Sequence, residues 1–118
     1  MGITQAIGAT GEEAACQWLQ SQGYQLIERN WRCRLGEIDL IMKDGQTMVF
    51  VEVRVRNNQG FGSGLDTIGP AKQRKLCRAA EAYQQAHGYW GEVRIDAIGM
   101  TQNNGEWAVE HIENAIVG

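Results

Sequence analysis

Two stretches of alternating polar and apolar residues, separated by Asp44-Gly45, constrain the fold of this chain most. Leu35–Lys43 and Thr47–Val55 both show the two-residue period of a half-buried strand. Asp-Gly between two such stretches is a strong signal for a tight two-residue hairpin loop. The sequence therefore predicts an antiparallel hairpin in the middle of the chain.

This hairpin gathers acidic side chains. If Asp44-Gly45 is the loop, Glu37 faces Glu52, and Asp39 faces Phe50 and lies diagonal to Glu52. Three carboxylates would then lie on one face within about 4.5–8 Å of one another, where like charges destabilise a sheet. A hard divalent cation such as Mg²⁺ would reverse that effect because it prefers oxygen ligands. Two alternatives stay open: solvated cross-strand Glu–Arg pairs on a half-exposed hairpin, and an odd-length loop that separates the acids.

The remaining signals predict two helices and further strands. Thr10 opens a capping box and Gly23 ends an apolar helical pattern, which indicates a helix over about 10–22. A second helix is expected from Pro70 to just before Gly88. Further strands are predicted at Tyr24–Glu28, Glu92–Met100 and Trp107–Ile112. The order α, β, β, β, α, β, β implies an α/β fold, a mixed sheet with helices packed on it.

Length and composition set the class of protein. A chain of 118 residues with 43% hydrophobic and 21% charged residues fits one folded domain, residues 1–118. No apolar stretch approaches the roughly 18 residues that a membrane span needs, and the first residues lack a signal-peptide pattern. We therefore expect a cytoplasmic protein without a membrane partner. Asn57–Gly69, rich in glycine, is predicted to be a mobile surface loop, and the three cysteines are expected to be free thiols.

The charge of the chain is unevenly distributed. The net charge is −3, yet the segment from Arg29 to Arg78 holds ten basic and five acidic residues. Such asymmetry is typical of a surface that faces a polyanion, although it also arises by chance. The candidate nucleic-acid-binding residues are Arg29, Arg32, Arg34, Lys72, Lys75 and Arg78.

The central segments also resemble a known family. Residues 29–41, which include Gly36-Glu-Ile-Asp39, and residues 49–54, which read Val-Phe-Val-Glu-Val-Arg, look like the YraN-type family of bacterial proteins. The resemblance covers most of the chain and includes three further motifs: Gly8 with Glu12 and Ala15, Lys72-Gln73-Arg74, and Arg94-Ile-Asp96. That family in turn resembles the PD-(D/E)XK nuclease superfamily, which includes archaeal Holliday-junction resolvases.

The resemblance implies a restriction-endonuclease-like mixed β-sheet flanked by helices, a Mg²⁺ or Mn²⁺ cofactor and DNA as partner. A homodimer is one implied arrangement, since junction-cutting relatives act as dimers. By the same resemblance, Asp39 and Glu52 hold the metal, and Glu37 belongs to the family's own acidic signature. Glu12 corresponds to the helix-one glutamate of resolvase-like relatives, and Gln73 to a polar helix residue of RecB-like branches.

Arg54 is the departure from the superfamily pattern, which usually has lysine there. Lysine can lose its proton when buried, whereas arginine stays charged and can only position water or stabilise negative charge. Lys72 is a second candidate for that role, although a helix lysine is usually solvated. The leading hypothesis is a metal-dependent endonuclease-like protein acting on DNA, with branched or damaged structures among the candidate substrates. The alternatives are a nucleic-acid-binding module without efficient cleavage and a protein-interaction domain with exposed acids.

Overall fold

The fold is a five-stranded mixed sheet with one helix on each face. The computed structural model describes residues 10–57 and 68–116. Its helices are α1 (Gly11–Ser21) and α2 (Pro70–His87). Its strands are β1 (Gln25–Cys33), β2 (Gly36–Asp44), β3 (Thr47–Asn57), β4 (Val93–Asn103) and β5 (Glu106–Ile112). This order confirms the predicted mixed α/β architecture.

The strands lie in the sheet in the same order as in the chain. All neighbouring pairs are antiparallel except β3 and β4, which are parallel. Parallel neighbours cannot be joined by a tight turn, and α2 lies in the crossover that connects them. The strand β3 is therefore central, paired with β2 on one side and with β4 on the other.

Local signals place both helices. The Thr10 hydroxyl accepts a hydrogen bond from the Glu13 N–H at 3.0 Å, as the capping pattern predicts. Pro70 occupies the first turn of α2, where a missing N–H is tolerated. Gly88, with φ of 62°, ends α2 in the left-handed conformation that glycine adopts readily. Both predicted helices are confirmed within a residue at each end.

The two helices cover opposite faces of the sheet. On one face, α1 contributes Ala14, Ala15, Cys16 and Leu19, which pack with Leu40, Met42, Val49, Val51, Ile98 and Met100. On the other face, α2 contributes Leu76, Ala79, Ala80 and Tyr83, which pack with Ile38, Ile41, Phe50 and Ile95. Each helix thus buries one apolar stripe, the arrangement that a half-polar helix needs. The three cysteines are free thiols.

The predicted register of the central hairpin is wrong by two residues. Asp44 pairs with Thr47 and Leu40 with Val51, so the two loop residues are Gly45 and Gln46. The predicted pairs of Glu37 with Glu52 and of Asp39 with Phe50 therefore do not form. Gly45 has φ of 62°, and glycine in the first loop position is the pattern of a type II′ turn. The sequence predicts Asp44 and Gly45 as the loop residues, which would place glycine in the second loop position.

The alternation of β2 is interrupted at Asp39. Ile38 lies in the core under α2, whereas Leu40 lies in the core under α1. The sequence predicts both on one face, so this part of the prediction is wrong. On β1, Asn30 has φ of 52° and lies across from Asp39, between the residues that pair with Leu40 and Ile38. The interruption on β2 thus lies beside a left-handed residue of the paired strand.

Other boundaries differ in detail. The strand β1 continues to Cys33, beyond the predicted end at Glu28, and β4 continues to Asn103. Asn57 belongs to β3, and most of the loop predicted up to Gly69, residues 58–67, lies outside the described residues. In the described ranges, neither helix has the length and apolar character that crossing a bilayer requires.

Candidate functional site

Asp39 lies where β2 and β3 stop pairing through their backbones. The last backbone pair on that side is Leu40 with Val51. Beyond it, the Asp39 carboxylate accepts a hydrogen bond from the Val53 N–H at 2.8 Å. Continuing the register would put Asp39 directly opposite Glu52. The Asp39 side chain therefore takes the place of a backbone acceptor for the Val53 N–H. This hydrogen bond fixes the Asp39 carboxylate beside β3.

Glu52 is buried and contacts two cations. Its side chain is 5% exposed, and its Oε2 lies 3.6 Å from both Arg54 Nη1 and Lys72 Nζ. Burial and then the charge of Asp39 raise the pKa of Glu52 to about 7, although Lys72 and Arg54 act in the opposite direction. Burial and the charge of Asp39 therefore outweigh the two neighbouring cations in setting the pKa of Glu52.

Asp39 and Glu52 act on each other. Burial raises the pKa of Asp39, while the Val53 N–H lowers it. The charge of Glu37 raises the pKa of Asp39 further. The charge of Lys72 and a hydrogen bond with Glu52 lower it. Two adjacent carboxyl groups that share hydrogen bonds titrate as a pair, since the first ionised group opposes ionisation of the second. The structure thus brings Asp39 and Glu52 close together, in a register that differs from the predicted one.

Two further carboxyl groups lie beside this pair. Glu12, in the first turn of α1, has a pKa raised by burial and by the charges of Asp39 and Glu37, with a hydrogen bond to Asp39. The Glu37 carboxylate pairs with Arg32 Nε at 3.3 Å; the Arg32 side chain is largely exposed and the Glu37 side chain partly exposed. The fold therefore brings together acidic residues from α1, β2 and β3.

Two glycines allow the helices to approach this region closely. A Cβ at Gly11 would clash with the Val55 side chain, so glycine lets the start of α1 lie directly on β3. A Cβ at Gly36 would lie 3.1 Å from the Lys75 carbonyl oxygen, so glycine lets α2 approach the start of β2. These contacts bring Glu12 and Lys72 to the acid pair from opposite faces of the sheet.

The chain is similar to a family of known bacterial proteins. Residues 11–100 match the uncharacterised protein family UPF0102. The chain belongs to the UPF0102 family. A UPF0102 protein of Stutzerimonas stutzeri is 42% identical over 117 residues, which cover 98% of both chains. A UPF0102 protein of Alkalilimnicola ehrlichii is 56% identical over 102 residues, which cover 85% of this chain and 81% of the relative. One of Nitrosomonas eutropha is 48% identical over 115 residues, which cover 98% of this chain and 97% of the relative.

The basic residues of this UPF0102 chain lie in different places. Arg54 and Lys72 lie at the acid pair. The charge of Arg29 acts on Glu12 and Cys16, which places it on the α1 side. Four further predicted residues are exposed and lie in the β1–β2 turn, on its flank and on α2; they are Arg34, Arg32, Lys75 and Arg78. The six residues predicted to bind nucleic acid are therefore spread over both faces of the sheet.

Gln73 lies next to Lys72 but points to another partner. Its side-chain amide donates a hydrogen bond to the Ile68 carbonyl oxygen at 3.0 Å. It also lines a cavity of about 420 Å³ along α2, together with Arg74 and Arg78. The structure thus places Gln73 at the start of α2, where it fixes the segment that leads into the helix.

The acid pair of this UPF0102 chain fits a hard divalent cation in its chemistry. Within residues 10–57 and 68–116, no group of three or more His, Cys, Asp or Glu side chains is already arranged to hold a metal ion. Mg²⁺, however, usually takes one or two carboxylates and completes its shell with water and phosphate. Asp39 and Glu52 supply two oxygen ligands whose raised pKa values a cation would lower.

A second charged cluster is more deeply buried than the acid pair, and sequence reasoning missed it. Asp96 is fully buried and accepts hydrogen bonds from Arg94, from His111 at 2.8 Å and from the Asn114 N–H at 2.9 Å. Burial alone raises the pKa of Asp96, but these bonds outweigh it and lower that pKa. Arg94 also donates to the Tyr24 hydroxyl at 2.7 Å. The Arg94-Ile-Asp96 spacing was the only signal in the sequence.

Proposed function

We propose that this UPF0102 chain is a metal-dependent, endonuclease-like protein that hydrolyses phosphodiester bonds in DNA. In this proposal the mixed sheet with a helix on each face is a restriction-endonuclease-like fold. One observation carries it: the Asp39 carboxylate replaces a backbone bond between β2 and β3 and so is held beside the buried carboxyl of Glu52. An uncompensated acid pair destabilises a fold, and a bound cation removes that penalty.

In this proposal each residue of the site has a separate role. Asp39 and Glu52 would hold Mg²⁺ or Mn²⁺, which when bound polarises a scissile phosphate and lowers the pKa of a water molecule. Glu12 shares a hydrogen bond with Asp39 and orients it. Arg54, whose guanidinium lies 3.6 Å from Glu52, stays protonated and stabilises negative charge that develops on the phosphate. Lys72 adds a second positive charge on the α2 side.

A second candidate function is nucleic-acid binding without efficient cleavage. It is favoured by the ion pairs that Glu52 makes with Arg54 and Lys72, because these already compensate part of its charge without a metal. An arginine in the usual position of lysine also removes one group able to transfer a proton. In this case the site would serve to bind phosphate groups.

A pair of matched variants separates these functions. Asp39→Asn removes the ligand charge at the pair, and Asp44→Asn makes the same change at the other end of the same strand, where the half-exposed Asp44 pairs with Arg94. Calorimetric titration of Mn²⁺ should show binding to the wild type and to Asp44→Asn but not to Asp39→Asn. Cleavage of branched and linear DNA with Mg²⁺ or Mn²⁺ should follow the same order.

The outcomes are distinct. Mn²⁺ binding that depends on Asp39, without cleavage of any substrate, would leave only the binding module. Equal Mn²⁺ binding in the wild type and Asp39→Asn, or none in either, would refute the metal site and with it the nuclease proposal.

A further inference from the structure

Lys72 occupies an unusual place for a helix lysine. It lies in the first turn of α2, and its Nζ approaches Glu52 Oε2 at 3.6 Å. Its positive charge acts on Asp39 as well as on Glu52. Arg54, the other cation at the pair, contacts Glu52 from the neighbouring position on β3. The positive charge of Lys72 thus lowers the pKa of both members of the acid pair.

The helix itself does not favour a cation at this position. The N-terminal end of a helix carries partial positive charge, so a lysine in the first turn is destabilising. The first turn of α2 holds no acidic residue that would offset this effect. The attraction between the Lys72 ammonium and the acid pair accounts for its position, whereas helix stability does not.

The Lys72 side chain can leave the acid pair without disturbing the core. It is 44% exposed, whereas the Glu52 side chain it contacts is 5% exposed. A lysine ammonium is a compact charge on a flexible four-carbon stem. The ammonium therefore reaches the pair from the solvent side and has space to turn away from it.

We infer that Lys72 is an internal counterion that stands in for the divalent cation, and that metal binding releases its ammonium toward a substrate phosphate. This inference rests on the proposed metal site and adds a coupling to it. Without metal, Lys72 stabilises the folded chain by balancing Asp39 and Glu52. When metal is bound, the same ammonium repels the ion and is free to contact the phosphate that completes the metal shell.

Removal of this charge should therefore have two opposite effects. In Lys72→Met, metal affinity should rise because repulsion of the incoming cation is gone. We expect about a tenfold lower Kd for Mn²⁺, which corresponds to ~1.4 kcal/mol. The melting temperature without metal should fall, because the acid pair loses a counterion. A lysine with a purely structural role would lower the melting temperature but would not tighten metal binding.

The experiment compares Lys72→Met with Lys75→Met, which removes an exposed lysine one helical turn away. Mn²⁺ titration is combined with thermal melting in EDTA at pH 8, above the pKa of Glu52. Tighter Mn²⁺ binding and a lower melting temperature are expected only for Lys72→Met. In a Glu52→Gln background the fall in melting temperature should largely disappear, since most of the repulsion is already gone.

Two results overturn this inference, and they differ in what they say about the proposed function. If the wild type binds Mn²⁺ through Asp39 but Lys72→Met binds it no more tightly, the counterion role is wrong and the proposed function stands. If the wild type binds no Mn²⁺, the proposed function and the counterion role both fail.

Discussion

Replacement of Glu52 by glutamine tests how strongly the acid pair opposes folding. Glutamine keeps the size of the side chain and removes its charge. In the folded chain, burial and Asp39 raise the pKa of Glu52 to about 7 from a usual value of 4.5. The folded protein therefore holds a proton on Glu52 between these two pH values, whereas the unfolded chain does not.

The sign of the pH effect follows from this difference. Stability falls with rising pH wherever the folded state binds more protons than the unfolded state. The favourable contribution of protonated Glu52 is complete below about pH 4.5 and is lost as the pH rises through about 7. A difference of roughly 2.5 pKa units at 1.36 kcal/mol per unit gives about 3 kcal/mol. Glu52→Gln should therefore raise the free energy of unfolding by about 3 kcal/mol at pH 8 and leave it almost unchanged at pH 4.

Urea unfolding in EDTA between pH 4 and pH 8 measures this effect. With a typical dependence on urea, the midpoint at pH 8 should rise by roughly 1–3 M. Glu106→Gln, on the exposed end of β5, is the control and should change neither the midpoint nor its pH dependence. A Glu52→Gln variant that is less stable than the wild type at pH 8 would refute this account of the pair.

Three further predictions concern other parts of the molecule. Arg54→Ala should lower DNA cleavage by roughly 10²- to 10³-fold with little effect on Mn²⁺ affinity, and Arg54→Lys should keep the cleavage rate. A loss of Mn²⁺ binding in a calorimetric titration of Arg54→Ala would instead assign Arg54 a structural role. Removal of both Arg34 and Lys75 should reduce the slope of log K against log salt for duplex DNA by roughly 2, measured by fluorescence anisotropy. An unchanged slope would exclude both residues from phosphate contact. Asp96→Asn should lower the free energy of unfolding by about 3–5 kcal/mol at pH 7, because Arg94 loses a buried partner. Since the pKa of Asp96 is lowered by its partners, this loss should shrink in urea unfolding at acid pH. A loss that persists there would contradict the ionic role of Asp96.

The helices could be predicted because their signals are local. The capping hydroxyl of Thr10, the position of Pro70 and the glycine at position 88 each act within one turn of the helix that they start or end. The hairpin was located correctly for the same reason. Its register was not, because Asp44-Gly45 fits two loops that differ in where glycine stands. A register shift of two residues does not by itself move a side chain to the other face, so Asp39 and Glu52 still converge, although the interruption at Asp39 changes the face of Ile38.

The environment of the acid pair could not be predicted from local signals. The change of face at Asp39 lies beside a left-handed Asn30 in the next strand and a hydrogen bond from the Val53 N–H to the Asp39 carboxylate, both of which are contacts between strands. Glu12 and Lys72 reach the pair only because both helices pack closely on the sheet. The pattern that predicted a solvated lysine on α2 contained no information on this packing. Long-range contacts decide such positions, and a single sequence shows them poorly.

The position of the acid pair within one hairpin has a consequence for the order of folding. Asp39 and Glu52 lie on neighbouring strands joined by two residues, so they meet through contacts that are local in the sequence. Lys72 reaches them only after the crossover through α2 has closed, which is slower. The hairpin therefore forms before Lys72 can reduce the repulsion between Asp39 and Glu52, with Arg54 as the cation already on β3. Refolding in stopped-flow experiments should be faster at pH 5 than at pH 8, and Glu52→Gln should remove the difference; equal rates in the wild type would show that the hairpin forms late.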